Sequence, residues 1–389
     1  MKKTPTNHNL NIVSLFAGIG GFELAFRKTN AKTILMCEIE KCAKHVLQKR
    51  LPNTPIIDDV RDIAEVPSST DLLCAGFPCQ DLSSVGVKQG LSGTRSSLVL
   101  EVLRILEKRQ TEWVIFENVP FMLHLKGGET MRVITQGLSH LGYRWAYRTI
   151  DSIAFVPQHR CRVFIVASLH HDPCNVILSG EAQHSYGDVD FLQQTSSIGF
   201  YWTEGHYALG LTGNAVPTLK AGSTIGIPSP PAIMFSSGEI STPDIRDAER
   251  LQGFPQDWTK PVEEIDRASM RWRLVGNAVT VNTVSWIASK IKSPVQYDTE
   301  NDMLLTSAKT WPKAAWGYKD KCYESKVSIF PASYRRSSLE QYLKFPRHPL
   351  SLKASKGFLN RLQAGGLKTP SYFIDQLQKH IEKMERNHE

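Results

Sequence analysis

Several absences narrow this 389-residue chain before any motif is considered. Its seven cysteines, at 37, 42, 74, 79, 161, 174 and 322, are odd in number, and no two share a C-x-x-C spacing. That argues against a disulfide framework and against a cysteine zinc site, and it points to a reduced, cytoplasmic setting. No apolar run approaches the roughly 18 residues of a membrane span. The opening Met-Lys-Lys-Thr-Pro-Thr-Asn-His turns polar where a signal peptide needs its apolar stretch. There is no repeat of solenoid period and no long low-complexity tract. Acid is also short: 38 Asp and Glu face 46 Lys and Arg, and the resulting net charge of +8 favours a polyanionic partner.

What is present suggests two to three domains at about 150 residues each. From Asn11 to Leu169, β-branched runs alternate with helix-period segments, the pattern of a parallel sheet with crossover helices. Strands are predicted at Asn11 to Ala17, Thr33 to Ile39, Asp71 to Phe77, Trp113 to Val119 and Arg162 to Leu169. Over Ser97 to Arg109, Leu98, Val102, Ile105 and Leu106 share one helical face, which is expected to lie on the sheet. The expected layout is an α/β domain over 1–169 and a smaller irregular domain over 170–243. A return segment over 244–294 completes the first domain, and a C-terminal extension spans 295–389. That extension carries 16 Lys and Arg against 10 Asp and Glu, so +6 of the total charge lies there.

The first strand runs into Phe16-Ala17-Gly18-Ile19-Gly20-Gly21. Glycines at a strand-to-helix turn allow close approach of a ligand, but G-x-G-x-x-G is absent, which weakens a dinucleotide reading. Glu38, at the end of the second strand, is placed to accept both ribose hydroxyls of a nucleoside, and an acid of Asp58-Asp59-Val60 to meet an adenine amino group. An adenine nucleoside without a diphosphate, as in S-adenosylmethionine, fits these three sites better than NAD does.

The third strand ends Phe77-Pro78-Cys79-Gln80, placing a candidate nucleophile at the carboxyl edge of the sheet. A lone cysteine is more often an inert core residue. Glu117 ends the fourth strand, where burial would favour its acid form and let it donate a proton. Arg160 and Arg162, read as extended, point to one face and would meet an anion or a carbonyl oxygen. A loop-capping acid and an exposed basic strand start are the bland alternatives.

Taken in order, Phe16-Ala17-Gly18-Ile19-Gly20-Gly21, Pro78-Cys79-Gln80, Glu117-Asn118-Val119, Gln158-x-Arg160-x-Arg162, Arg246-x-x-Glu249-Arg250-x-x-Gly253-Phe254-Pro255 and Gly276-Asn277-Ala278-Val279 resemble the DNA cytosine-C5 methyltransferase family. The resemblance stops near residue 294. It implies a Rossmann-like S-adenosylmethionine-dependent methyltransferase sheet with a target-recognition domain over 170–243. It also implies that Phe16, Gly18, Gly20, Glu38, Asp59, Pro78, Asn277 and Val279 form the cofactor pocket. Ile39 departs from members that carry a stacking aromatic there. Cys79, Glu117, Arg160 and Arg162 would serve catalysis, and Gln80, Ser83, Thr218 and Leu219 would contact DNA, with Lys220 near a phosphate. No metal is called for. Double-stranded DNA is the implied partner, bound by a monomer beside a restriction endonuclease or another defence system.

Three rivals are weighed on the same residues. A tRNA-methylating relative would carry Cys-Phe-Thr, and no cysteine here precedes Phe. A silent DNA-binding regulator would have lost Cys79 or Glu117, and an amino-methyltransferase would replace Phe77-Pro78-Cys79-Gln80 with an Asp/Asn-Pro-Pro-aromatic motif.

Overall fold

Apolar runs with little polar interruption become strands buried on both faces, because a parallel sheet is covered by helices on each side. Asn11–Leu15 (β1), Leu72–Ala75 (β4) and Trp113–Asn118 (β5) follow this rule, and Lys32–Cys37 (β2), Ile56–Ile57 (β3), Arg144–Asp151 (β6) and Cys161–Ser168 (β7) extend the sheet on either side. The computed structural model describes residues 9–78, 98–182, 196–205, 208–222, 230–306, 310–333 and 337–386. Cys79, Gln80 and Ser83 lie outside the described residues.

The remaining strands are Ile198–Phe200 (β8), Thr212–Gly213 (β9), Ala232–Met234 (β10), Ile240–Thr242 (β11), Met303–Leu304 (β12), Ala314–Tyr318 (β13), Lys321–Glu324 (β14) and His348–Pro349 (β15). They form two sheets, a ten-stranded one in the order β12-β14-β13-β6-β7-β5-β4-β1-β2-β3 and a five-stranded one in the order β15-β11-β10-β8-β9. The chain divides correspondingly. One unit comprises Met1–Asp151, Cys161–Gln183 and Val279–Ser333, and the other comprises Ser152–Arg160, His184–Ala278 and Tyr334–Glu389.

In the first unit β1 pairs in parallel with both β2 and β4, and β4 with β5. The order reverses between β1 and β4, so their carboxyl ends flank a topological switch point, the usual place for a ligand in an open α/β sheet. β7 departs from the expected parallel arrangement and runs antiparallel to β5, because it follows β6 as an antiparallel neighbour. The helix Leu98–Lys108 buries Val99, Val102, Leu103, Ile105 and Leu106, close to the predicted stripe. The helix Val281–Lys292 packs on Gly21–Arg27 and Cys174–Ile177.

The division differs from the four-part layout at the C-terminus, where 295–389 is not a separate extension. β13 pairs with β6, adding three strands to the large sheet, and Trp311 is buried in its core with its indole N–H donating to the Gly128 carbonyl at 2.9 Å. Buried Arg148 on β6 donates to the carbonyls of Ser328 and Gly180 at 2.7 and 2.9 Å. In the second unit the helices Leu352–Gly365 and Ser371–Arg386 bury Phe358, Leu362, Phe373 and Leu377 with Ile198, Phe200 and Met234 of the small sheet. Charge counting missed this because the anchoring residues are apolar. Among the described residues, no helix is long and apolar enough to cross a membrane.

Candidate active site

In the turn after β1 the backbone enters the left-handed region three times, at Phe16 (φ 56°), Gly18 (φ 58°) and Gly20 (φ 89°). For a bulky aromatic that conformation costs about 1–3 kcal/mol and is a signature of functional sites. A Cβ on Gly18 would meet no atom within 4 Å, so open space lies beside the turn. Glu38, just past β2, closes the turn from the other side. Its carboxylate accepts the Gly18 N–H at 2.7 Å and the Glu40 N–H at 2.8 Å. It is buried, and burial raises its pKa against the backbone bonds that lower it. Each oxygen keeps a lone pair for a further donor such as a ribose hydroxyl.

Next to Glu38, Ile39 is 67% exposed, an apolar face where the adenine is expected. Asp59 accepts the Arg61 backbone N–H at 2.9 Å and pairs with its guanidinium at 2.5 Å, which holds the carboxyl below its usual range. It therefore meets Arg61 first, and an amino group would share those oxygens. Phe16, Gly18, Gly20, Glu38, Asp59, Pro78 and Val279 all belong to the first unit, whereas Asn277 belongs to the second. The open space at Gly18, the buried Glu38 carboxylate and the exposed Ile39 suit an adenine nucleoside.

The neighbouring strand ends bring the chemistry together. Glu117 Oε1 lies 3.1 Å from Arg162 Nε, with both side chains mostly buried. A Cβ on Gly76 would stand 3.4 Å from Glu117 Oε2, so this carboxylate borders the backbone leading into Pro78. Asn118 Nδ2 donates to the Phe77 carbonyl at 2.9 Å, fastening the end of β4 to the end of β5. Glu117 is thus ion-paired, where the sequence suggested an acid isolated by burial.

Arg160 and Arg162 do not act as a pair. Arg160 precedes β7 and lies in the second unit, so strand alternation does not relate the two. Its buried guanidinium donates to the carbonyls of Leu219, Gly276 and Ala278 at 3.0, 3.1 and 2.8 Å. Gln158 works beside it, donating to the Leu251 carbonyl at 2.9 Å and accepting the Leu219 N–H at 3.0 Å. A Cβ on Gly276 would fall 2.3 Å from Lys220 backbone carbon, so only glycine permits this approach. Leu219 is 3% exposed and belongs to the core, and the Thr218 hydroxyl donates to the His159 carbonyl at 2.8 Å. The Leu219 side chain therefore reaches no DNA surface. Lys220 pairs with Glu204 and sits 3.8 Å from the centroid of the Tyr201 ring instead of standing free for a phosphate.

Sequence reading passed over Asn118, Gln158 and Gln252 as functional, although each stands within or beside a motif. Arg271, which joins Glu249 at 3.0 Å, carries no such signal.

The profile of the C-5 cytosine-specific DNA methylase family matches residues 10–201 and 240–293. The Type II methyltransferase M2.BsuMI of Bacillus subtilis strain 168 is 45% identical over 365 residues, covering 90% of this chain and 93% of that relative. The Type II methyltransferase M.BsuFI of Bacillus subtilis is 30% identical over 320 residues, covering 73% and 72%. Among solved structures, the Dnmt2 methyltransferase of S. pombe superposes with a TM-score of 0.54 at 17% identity over 73% of this chain and 98% of that one, a likeness of fold.

Proposed function

The chain belongs to the C-5 cytosine-specific DNA methylase family, and from that premise we propose that it moves a methyl group from S-adenosylmethionine to C5 of a cytosine flipped out of duplex DNA, through a covalent Cys79 adduct. The observation that carries this reading is the Glu117–Arg162 pair at the sheet edge, bordering the backbone that leads through Pro78 to Cys79.

The flipped base has an amidine edge at N3 and C4 and a carbonyl at C2. Glu117 hydrogen-bonds N3 through a proton shared between them and stabilises the charge that develops there, while Arg162 holds the carboxyl in place and presents its remaining donors to O2. Withdrawal of electron density through N3 makes C6 electrophilic. The Cys79 thiolate adds to C6 and C5 becomes nucleophilic. When bound, S-adenosylmethionine supplies the electrophilic methyl on its sulfonium. After transfer the C5 proton leaves to a base, the C6–S bond breaks, and the thiolate is restored. Glu38 and the turn at Phe16 to Gly20 hold the nucleoside, and Ile39 covers the adenine. Arg160 acts as a positioning residue, since its donors end on backbone carbonyls of the second unit.

The likeness to two Type II methyltransferases supports a restriction-modification setting, with protection of host DNA in the cytoplasm beside an endonuclease. A duplex carrying 5-fluorocytosine at the target tests the covalent step, because fluorine cannot leave C5 as a proton. The expected result is a denaturation-resistant complex that depends on S-adenosylmethionine and maps to Cys79. Cys79→Ser should form none, since a serine hydroxyl is a far poorer nucleophile at neutral pH. An adduct on another cysteine, or one that survives in Cys79→Ser, overturns the mechanism.

A further inference from the structure

The surplus positive charge of the C-terminal region is not spread evenly. From Gln341 to Ile374 there is no Asp or Glu, while Lys344, Arg347, Lys353, Lys356, Arg361 and Lys368 fall in that stretch. Its centre is the helix Leu352–Gly365, which has two contrasting faces. Phe358 and Leu362 are buried with the small sheet, Phe358 stacking on Phe200 at 5.2 Å between ring centroids. The opposite face exposes Lys353, Lys356, Asn360 and Gln363. Lysine and the side-chain amides are the groups that bond phosphate and sugar oxygens without reading sequence.

This helix is also braced to the segment between β8 and β9. Arg361 Nε donates to the Glu204 carbonyl at 2.9 Å, and Nη2 donates to the Trp202 carbonyl at 2.6 Å. Lys356 pairs with Glu385 at 2.5 Å, but both side chains are about half exposed, and such a surface pair contributes about 0–1 kcal/mol. A phosphate therefore displaces Glu385 at little cost.

We propose that the Lys353–Lys356–Asn360–Gln363 face of this helix is a backbone-contacting surface for duplex DNA outside the target site. The proposal rests on the DNA-methylating reading above and adds an affinity element that belongs to the second unit. The bonded Arg361 brace fixes that element to the turn at Trp202 to Glu204.

The test uses the full chain and a Lys353→Gln, Lys356→Gln double variant, both positions being exposed, with folding checked by circular dichroism. Binding of a fluorescein-labelled duplex of arbitrary sequence is followed by anisotropy at rising salt. Loss of two phosphate contacts should reduce the slope of log affinity against log salt by about 1.8, removing about a tenfold loss of affinity between about 50 and 200 mM. Bisulfite sequencing of plasmid methylated by each protein should show the same sites. An unchanged slope beside an active wild-type enzyme overturns the proposal, as does a changed set of methylated sites or displacement by single-stranded RNA at lower concentration than by unlabelled duplex. Wild-type protein that methylates no plasmid cytosine overturns the DNA-methylating reading instead.

Discussion

The first unit buries Val13, Leu73, Phe116 and Ile165 along adjacent strands, whereas the second buries Gln158, Arg160, Glu249, Gln252 and Arg271 among short helices and the loops that join them. Regular strands satisfy their own amides and carbonyls, so their interior needs only apolar side chains. Loops and the last turns of helices leave carbonyls without a backbone partner, and a buried carbonyl must find a donor. At Leu219, Leu251, Gly276 and Ala278 that donor is a side chain. The first unit obeys the same rule where it is irregular, since Arg148 serves Gly180 and Ser328. Buried Gln158, Arg160, Gln252 and Arg148 therefore mark where backbone pairing runs out.

The largest expected effect separates chemistry from architecture. Glu117→Gln should slow single-turnover methyl transfer by about 100- to 10,000-fold, the range for a positioned acid or base, with amide-exchange protection unchanged in both units. A loss under tenfold would remove Glu117 from the chemistry.

Arg271→Leu addresses the second unit. Glu249, fully buried, would lose a partner at 3.0 Å, and breaking a buried pair costs about 3–5 kcal/mol. Exchange protection should fall over β8, β10 and the helix Ile245–Leu251 while β1, β4 and β5 keep theirs. Equal loss everywhere would erase the contrast between the units.

In the first unit the corresponding test is pH. Burial pushes the Glu23 carboxyl up to about 7 from 4.5. Because the folded state holds this proton more tightly, the contribution is full below pH 4.5, declines as pH rises, and is gone above about 7. The span is worth about 3 kcal/mol. Urea unfolding at pH 5 to 8 should show Glu23→Gln gaining on the wild type up to pH 7 and holding level beyond; a constant difference sinks the assignment.

The smallest effect concerns the cofactor. Glu38→Ala removes charge-assisted bonds worth about 1.5–3 kcal/mol, so calorimetry should show S-adenosylmethionine binding weakened by roughly 10- to 150-fold. Duplex DNA affinity should be unchanged. An unaltered dissociation constant would take Glu38 out of the pocket.

Much of the first unit was legible because its information is local. Five strands and the helix Leu98–Lys108 follow from runs and periods of apolar residues, and Phe16, Gly18, Glu38 and Glu117 sit at strand ends that the runs themselves define. Motif order then led to the family. Contacts between distant segments were not legible. Nothing in the pattern of 295–333 indicates pairing with β6, and alternation along Gln158 to Arg162 suggests two arginines on one face.

Sequence alone determined the order of the motifs and that Phe16, Glu38 and Glu117 fall at strand ends, since side-chain type and short-range periodicity are properties of neighbouring residues. Only the tertiary structure decided that Arg162 meets Glu117 while Arg160 turns to three backbone carbonyls, that Leu219 is core, and that the C-terminal residues complete both sheets. The physical reason is that a buried donor is committed by whichever acceptor lacks a partner nearby in space, and which acceptors those are depends on where the whole backbone has already paired.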